Sequence, residues 1–525
     1  MNVVYTLLGL KTFSVDALAQ RMLELDPNIV PFGHFRFFHG TPIEHYVRNE
    51  TRTPYKKIID TEDMFSRYRE APLDLEYLRE AEEKYGTPNL MRQFYWDREF
   101  NPHVHFEYGI MEYTEEELLR WIQAHIKHME YVIEECEADI YIDLFTVGFL
   151  RHITRMVCRY HKVVWMRPVF TRYQNYAYIS DNAIDYWPEL EQEYQKLLVD
   201  GGRLEDGFGT LEQFKNQNKP ANDNLERIQK DFLHAQSIAR QFFRICKPTV
   251  PWKFLGILKD EINYQKHSKV WKENFRKRRP ISYLSGRLDT LLNQYQIKKH
   301  RLPKNEFEPD VPYFLFTLCT VPEEATEVRA PFYSNEEFLI ETIVKSLPID
   351  CKLYVKEHRT MYYKRPYNFY KRLQMIPRVE VLSPYTDIVE LVKGSQGVIT
   401  VGGTVGFEAI FWGKPLIVFG HALYNFLDFV FDVENITQLP DTLSKARKFK
   451  EDKRKTAAFI EAIKGNSFQF SLTLFNNKQP GIAQFWEGQN GEEIKLLARK
   501  FVEKLDFFKN KILQAPSVQS FEKIN

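Results

Sequence analysis

The sequence predicts an α/β protein whose C-terminal part is a doubly wound parallel sheet, and three observations carry that prediction. From Tyr313 onward, short apolar runs alternate with helical periods at close spacing. A weaker alternation of the same kind runs through the N-terminal half. The 525 residues also exceed one ordinary core, since domains run to roughly 100–200 residues, so two or more domains are expected.

In order along the chain, residues 2–8 read as a buried first strand and 14–25 as a helix with Leu18, Met22 and Leu25 on one face. Thr114 and Glu117 have capping-box spacing for a helix to about Glu137. A strand over 139–144, a helix over 148–160 and a strand over 163–166 continue the alternation, which predicts a parallel sheet here too. Residues 201–225, rich in Gly, Asn, Lys and Glu, read as an exposed excursion, and about 225–295 as helical and irregular. In the second half, strands are expected over 313–318, 352–356, 379–382, 397–401 and 415–419. Helices join them: one capped by Ser334 with Glu337 and running to Ser346, then 368–375, 387–393 and 405–412. Five strands with four such crossovers require right-handed parallel connections.

Composition excludes several classes. The 72 basic and 71 acidic residues nearly cancel, which disfavours a nucleic-acid binder held by overall phosphate attraction. Cys136, Cys158, Cys246, Cys319 and Cys351 lack paired spacing and read as reduced core thiols of a cytoplasmic protein. The apolar N-terminus lacks a basic n-region and a small-residue cleavage site, so it reads as a strand and not a signal peptide. No uncharged apolar run reaches the roughly 18–20 residues that span a bilayer.

Doubly wound sheets bind ligands at the carboxyl ends of their strands. After Val401 comes Gly402-Gly403-Thr404, opening a helix, where glycines let backbone N–H groups approach a phosphate and Thr404 adds a hydroxyl. Glu408 shares a helix face with Thr404 and suits ribose hydroxyls. The alternative is a tight turn with Thr404 as an N-cap and Glu408 as an exposed acid; a capping box, however, needs the acid three residues on, where Phe407 stands. Lys356, Glu357, His358 and Arg359 form a second loop at this edge, with cationic donors for a phosphate and a histidine to meet a departing one. Pro322 and Glu323 follow the first strand of the sheet as a third. In the N-terminal half, Asp143 ends its strand and reads as an acid capping the following turn. Arg167-Pro168 and Arg172-Tyr173 either line that side of a cleft or pack between domains. Between Lys266 and Arg279, seven cations surround Trp271 and Phe275, a segment suited to an anionic membrane or to a solvated helix face.

Over about 311–430 the chain resembles the bacterial capsule polysaccharide biosynthesis proteins. The carriers are Pro322-Glu323, Ala330-Pro331-Phe332-Tyr333, Ser346-Leu347-Pro348, Leu353-Tyr354-Val355-Lys356-Glu357-His358, Ile399-Thr400-Val401-Gly402-Gly403-Thr404, Glu408-Ala409 and Gly413-Lys414-Pro415-Leu416-Ile417-Val418-Phe419-Gly420. Where that family has Gln-Pro-Glu and His-Pro, this chain has Val321-Pro322-Glu323 and His358-Arg359.

The resemblance implies a GT-B-like fold, two Rossmann-like domains facing a cleft, with residues 1–300 as acceptor domain, 301–450 as nucleotide-sugar donor domain and 451–525 as a helical extension. It implies a metal-independent, inverting glycosyltransferase that moves a sugar, such as Kdo from CMP-Kdo, onto a surface polysaccharide or glycolipid. Site residues would be His358 and Asp143 for chemistry and Pro322, Glu323, Lys356, Glu357, Arg359, Gly402, Gly403, Thr404 and Glu408 for the nucleotide. No cofactor is implied beyond the donor substrate. The place of work would be the cytoplasm, at the inner face of the membrane. Two other readings stay open: a sugar-nucleotide 2-epimerase-like enzyme, and a non-catalytic glycan-assembly protein with a degenerate donor site.

Overall fold

A computed structural model describes residues 1–36, 42–61, 67–68, 71–86, 90–91, 114–144, 149–199, 204–217, 291–307, 309–321, 323–470 and 486–514. The N-terminal strands are β1 (Asn2–Leu8), β2 (Val30–Arg36), β3 (Lys57–Asp60), β4 (Ile140–Ile142), β5 (Val164–Phe170) and β6 (Tyr176–Ser180). The C-terminal strands are β7 (Tyr313–Thr317), β8 (Lys352–Lys356), β9 (Val379–Leu382), β10 (Gly397–Thr400), β11 (Leu416–Val418) and β12 (Val430–Asp432), and β13 (Phe468–Gln469) lies beyond them.

They form two sheets, β13-β6-β5-β4-β1-β2-β3 and β12-β11-β10-β7-β8-β9. The second is parallel throughout, and in the first only β5–β6 and β6–β13 are antiparallel. Both follow Rossmann winding, with switch points between β1 and β4 and between β7 and β10. This is the two-domain, GT-B-like architecture that the resemblance implied. Because helices cover both faces of each sheet, the central strands are buried almost entirely, which is why they read as continuous apolar runs.

The Thr114–Glu117 capping box forms and opens the helix Glu115–Glu135. At the helix Glu336–Ser346 the expectation fails: Asn335, not Ser334, accepts the Phe338 N–H, while the Ser334 hydroxyl donates to Pro331. β12 adds a sixth strand that its three-residue length concealed. The reading of 201–225 as an exposed excursion is corrected over the described residues 204–217. Within them Glu205–Gln217 is a helix with Leu211 buried, and it packs on the helix Lys453–Asn466. Gly207 lies so close to that helix that a Cβ would stand 2.4 Å from the Ala457 carbonyl oxygen. Its N–H donates to Glu461 at 2.5 Å. Polar composition masked an amphipathic element whose partner lies some 250 residues away.

The chain after the C-terminal sheet returns to the N-terminal domain. Lys453–Asn466 also packs on the helix Pro188–Val199, β13 extends the first sheet, and the helix Gly488–Gln514 lies along Thr12–Leu25. Cys136, Cys158, Cys319 and Cys351 are buried and form no disulfide among the described residues, and Cys246 lies outside them.

Candidate functional site

The loops after β7 and β8 are fixed by a buried ionic knot. Arg365 donates through Nη2 to Glu336 and to the Cys319 carbonyl, both at 2.6 Å, and its Nε lies 3.1 Å from Glu357. Glu336 accepts the Cys319 N–H at 2.5 Å, and Glu357 accepts the Tyr370 hydroxyl at 2.7 Å and the His358 N–H. Burial raises the Glu357 pKa against the opposing pull of Arg365. Glu357 therefore braces the loop from inside. Lys356 is also turned inward: its Nζ donates to the Pro384 carbonyl at 2.8 Å, and burial, with Arg359 nearby, pushes its pKa down to about 8. Arg359 reaches the same carbonyl at 3.4 Å.

His358 stands on this base. Its Nδ1 accepts the Thr360 N–H at 3.3 Å and lies 2.7 Å from the Thr360 hydroxyl and 3.0 Å from that of Thr320. An accepting Nδ1 assigns the proton to Nε2. Burial, followed by Lys356, Arg365, Arg359 and Arg172, pushes the pKa down to about 4. At neutral pH the ring is therefore a neutral donor, and no hydrogen bond occupies Nε2 among the described residues.

At the β10 edge, Gly402 has φ +121°, a backbone open to glycine, and a Cβ there would also stand 3.1 Å from the His421 carbonyl oxygen. The N–H groups of Gly402 and Gly403 donate to the Thr400 hydroxyl at 3.3 and 3.0 Å. These glycines shape the turn while their N–H groups point inward. Tyr424 clamps it from outside, its hydroxyl donating to the Gly403 carbonyl at 2.8 Å. Thr404 precedes the helix Val405–Phe411, is half-buried, and makes no side-chain cap bond. Glu408 is buried, so it is not an exposed helix acid. Glu323 opens the short helix Glu324–Glu327, and Pro322 lies outside the described residues, as does the basic segment Lys266 to Arg279.

From the N-terminal domain, Asp143 follows β4 at its switch point, buried and paired with Arg151 at 3.2 Å. Beside it is a buried cluster of which sequence reasoning named only Arg167, with packing between domains as one of its two readings. Asp185 takes Arg167 on one oxygen and Arg329 on the other, both at 2.7 Å, and Arg167 also meets Glu324 at 3.2 Å. Arg167 and Asp185 belong to one domain, Arg329 and Glu324 to the other. The loop carrying Asp185 has no periodicity to announce it; its left-handed φ of +60° is one that Asp tolerates. Tyr173 packs between domains, edge-on to Phe411 at 5.3 Å. Arg172 beside it is half-buried.

Residues 249–460 match the family model described as capsule polysaccharide biosynthesis protein, and the resemblance read from about 311–430 falls inside that segment. No curated protein matches the chain. Among solved structures, the chain is similar to KpsC of Thermosulfurimonas dismutans, a beta Kdo 2,7 transferase, at 15% identity and TM-score 0.22, over 33% of this chain and 53% of that one. It is similar to UDP-GlcNAc 2-epimerase of Neisseria meningitidis bound to UDP-GlcNAc at 12% identity and TM-score 0.23, over 89% and 100%. S. aureus MnaA with UDP is similar at 12% identity and TM-score 0.26, over 99% and 100%. The chain spans about half the length of the two KpsC transferase structures it matches, 53% of each.

Proposed function

We propose, with the capsule polysaccharide biosynthesis match over residues 249–460 as premise, that this chain is a glycosyltransferase of the GT-B type. It takes a nucleotide sugar, CMP-Kdo being the first donor to test, and transfers the sugar to a surface or capsular glycan or to a glycolipid. The observation that carries the reading is the neutral Nε2–H of His358 at the carboxyl edge of a Rossmann sheet, supported from below by Lys356 and Glu357.

In this mechanism the acceptor hydroxyl attacks the anomeric carbon as the bond from that carbon to the phosphate oxygen breaks. The hydroxyl proton passes to Asp143, which the Arg151 pair orients. The electron pair leaves with the phosphate, whose growing charge is met by His358 Nε2–H and the surrounding cations. Thr404 contacts the phosphate and Glu408 the ribose diol. Attack opposite the leaving group inverts the anomeric centre, and the cationic side chains take the place of a divalent ion. Among the described residues no helix is long and apolar enough to cross a membrane. A peripheral position at the cytoplasmic face, held by the basic segment Lys266 to Arg279, suits a lipid-linked acceptor.

Incubation with CMP- and UDP-sugars, with and without a glycan acceptor and in EDTA, tests the reading. Sugar transfer with nucleotide release, dependent on acceptor and indifferent to EDTA, is expected. Epimerised sugar nucleotide in the absence of acceptor identifies the 2-epimerase-like alternative, and nucleotide binding without turnover across the panel identifies a binding protein.

A further inference from the structure

Arg172 occupies the tip of the hairpin between β5 and β6, and that tip is docked on the other domain. Within the hairpin, the Thr171 N–H donates to the Tyr176 carbonyl at 2.9 Å, and the Thr171 hydroxyl accepts the Tyr173 N–H at 3.3 Å. Tyr173 then buries its ring against Phe411 and stacks on Phe407 at 6.5 Å, both on the helix that follows Gly403 and Thr404. Docking Tyr173 this way places its neighbour over the loops of the C-terminal sheet. Arg172 has φ +63°, a left-handed backbone that strains a non-glycine residue. Its half-buried guanidinium has no hydrogen bond or ion pair among the described residues.

The acids nearby are already engaged, Asp185 by Arg167 and Arg329 and Asp387 by the N–H groups of Val389 and Glu390. Arg172 stands near enough to His358 and to Tyr424 for its charge to lower the pKa of each. Around His358 the other facing groups are Lys356 and Arg359 from its own loop, Arg365 from the segment after it, and the hydroxyls of Thr320 and Thr360. The acid beside it is Glu357, already held by Arg365, Tyr370 and the His358 N–H. A planar guanidinium fork beside a neutral imidazole donor, in a group of loops that also carries Lys356 and Arg359, has the geometry for a bidentate oxyanion.

We propose that Arg172 is an anion-binding residue that reaches across the cleft and, with His358, clamps the phosphate group of a nucleotide seated on the C-terminal domain. The proposal rests on the reading of that domain as a nucleotide site and adds to it a contact from the opposite domain. Binding through Arg172 ties occupancy of the C-terminal domain to the docking of this hairpin on it, because β5 and β6, which carry the hairpin, belong to the N-terminal sheet.

The test uses the full chain and two variants, Arg172→Met and Arg172→Gly, the second of which suits the left-handed backbone and guards against misfolding. Calorimetry measures the affinity of CMP, UDP, inorganic pyrophosphate and the uncharged nucleosides, while NMR follows the titration of the His358 ring. Both variants are expected to bind CMP, UDP and pyrophosphate at least tenfold more weakly, with nucleoside affinity unchanged. Without ligand, His358 should titrate at higher pH in the variants than in wild type. Nucleotide affinity equal in wild type and both variants overturns the clamp and leaves the nucleotide site standing. Arg172-dependent pyrophosphate binding with no nucleotide binding supports the clamp and sinks the nucleotide reading. Absence of any anion binding overturns both.

Discussion

Arg329 donates through Nη1 to Asp185 at 2.7 Å, joining the two domains through groups that are 2% and 4% exposed. Asp185 also holds Arg167, which Glu324 reaches as well, so one carboxylate is shared between two buried guanidiniums. Removing one partner of such an arrangement leaves charge buried without compensation and costs about 3–5 kcal/mol. Asp185→Asn, which keeps the shape and the tolerance for a left-handed backbone, is expected to lose about 3 kcal/mol in urea denaturation. The exposed pair of Arg372 and Glu337 is the control, and Glu337→Gln should change the midpoint little.

Thr404→Val should weaken nucleotide binding by about 1–2 kcal/mol, the range for losing a hydrogen bond to a charged group. Stability should hold, because the Thr404 hydroxyl caps nothing in the folded chain. Calorimetry against CMP and UDP reads the first effect and thermal melting the second; unchanged affinity for both removes Thr404 from the site.

His358→Ala should lower kcat and kcat/KM by similar factors, roughly 10²–10³, as loss of one preorganised donor does elsewhere, with KM nearly constant. Arg359→Ala should be milder, since that guanidinium is directed at Pro384. Steady-state kinetics of the two variants decide the matter: a severe Arg359→Ala with a mild His358→Ala would transfer the phosphate contact to Arg359.

The same histidine predicts a pH dependence of stability. Its folded pKa of about 4 lies below the ordinary 6.5, so between those values the unfolded chain binds the extra proton. The contribution of the neutral ring is complete above pH 6.5 and is lost as pH falls toward 4. His358→Gln should therefore show a flatter fall in melting temperature over that window than wild type. Parallel curves would mean that the ring is more open to water than its packing implies.

Much of this was legible in the sequence because parallel strands buried on both faces write themselves as apolar runs, as Leu353 to Val355 and Val398 to Ile399 do. Glycine and cap chemistry marked the turn at Gly402 and the helix start at Thr114. Side-chain direction was not legible: Lys356, Glu357 and the N–H groups of Gly402 and Gly403 stand at the expected edge but turn inward to Pro384, Arg365 and Thr400. Nor were contacts between distant segments, such as Asp185 with Arg329 or Leu211 beneath the helix Lys453–Asn466, since neither leaves a local period.

The joint at Tyr173, Phe407 and Phe459 belongs to a hydrophobic cluster that runs without a break from the helices of the N-terminal domain into the C-terminal sheet. Two domains that share a core cannot melt independently, because unfolding either one exposes to water the apolar surface of the other. The helix carrying Phe459 deepens this dependence, since it is supported by Pro188–Val199 and Glu205–Gln217 and in turn covers Phe407. Thermodynamically the two sheets are expected to behave as one cooperative unit. The heat-capacity scan of the molecule should show a single peak, even though its architecture divides cleanly in two.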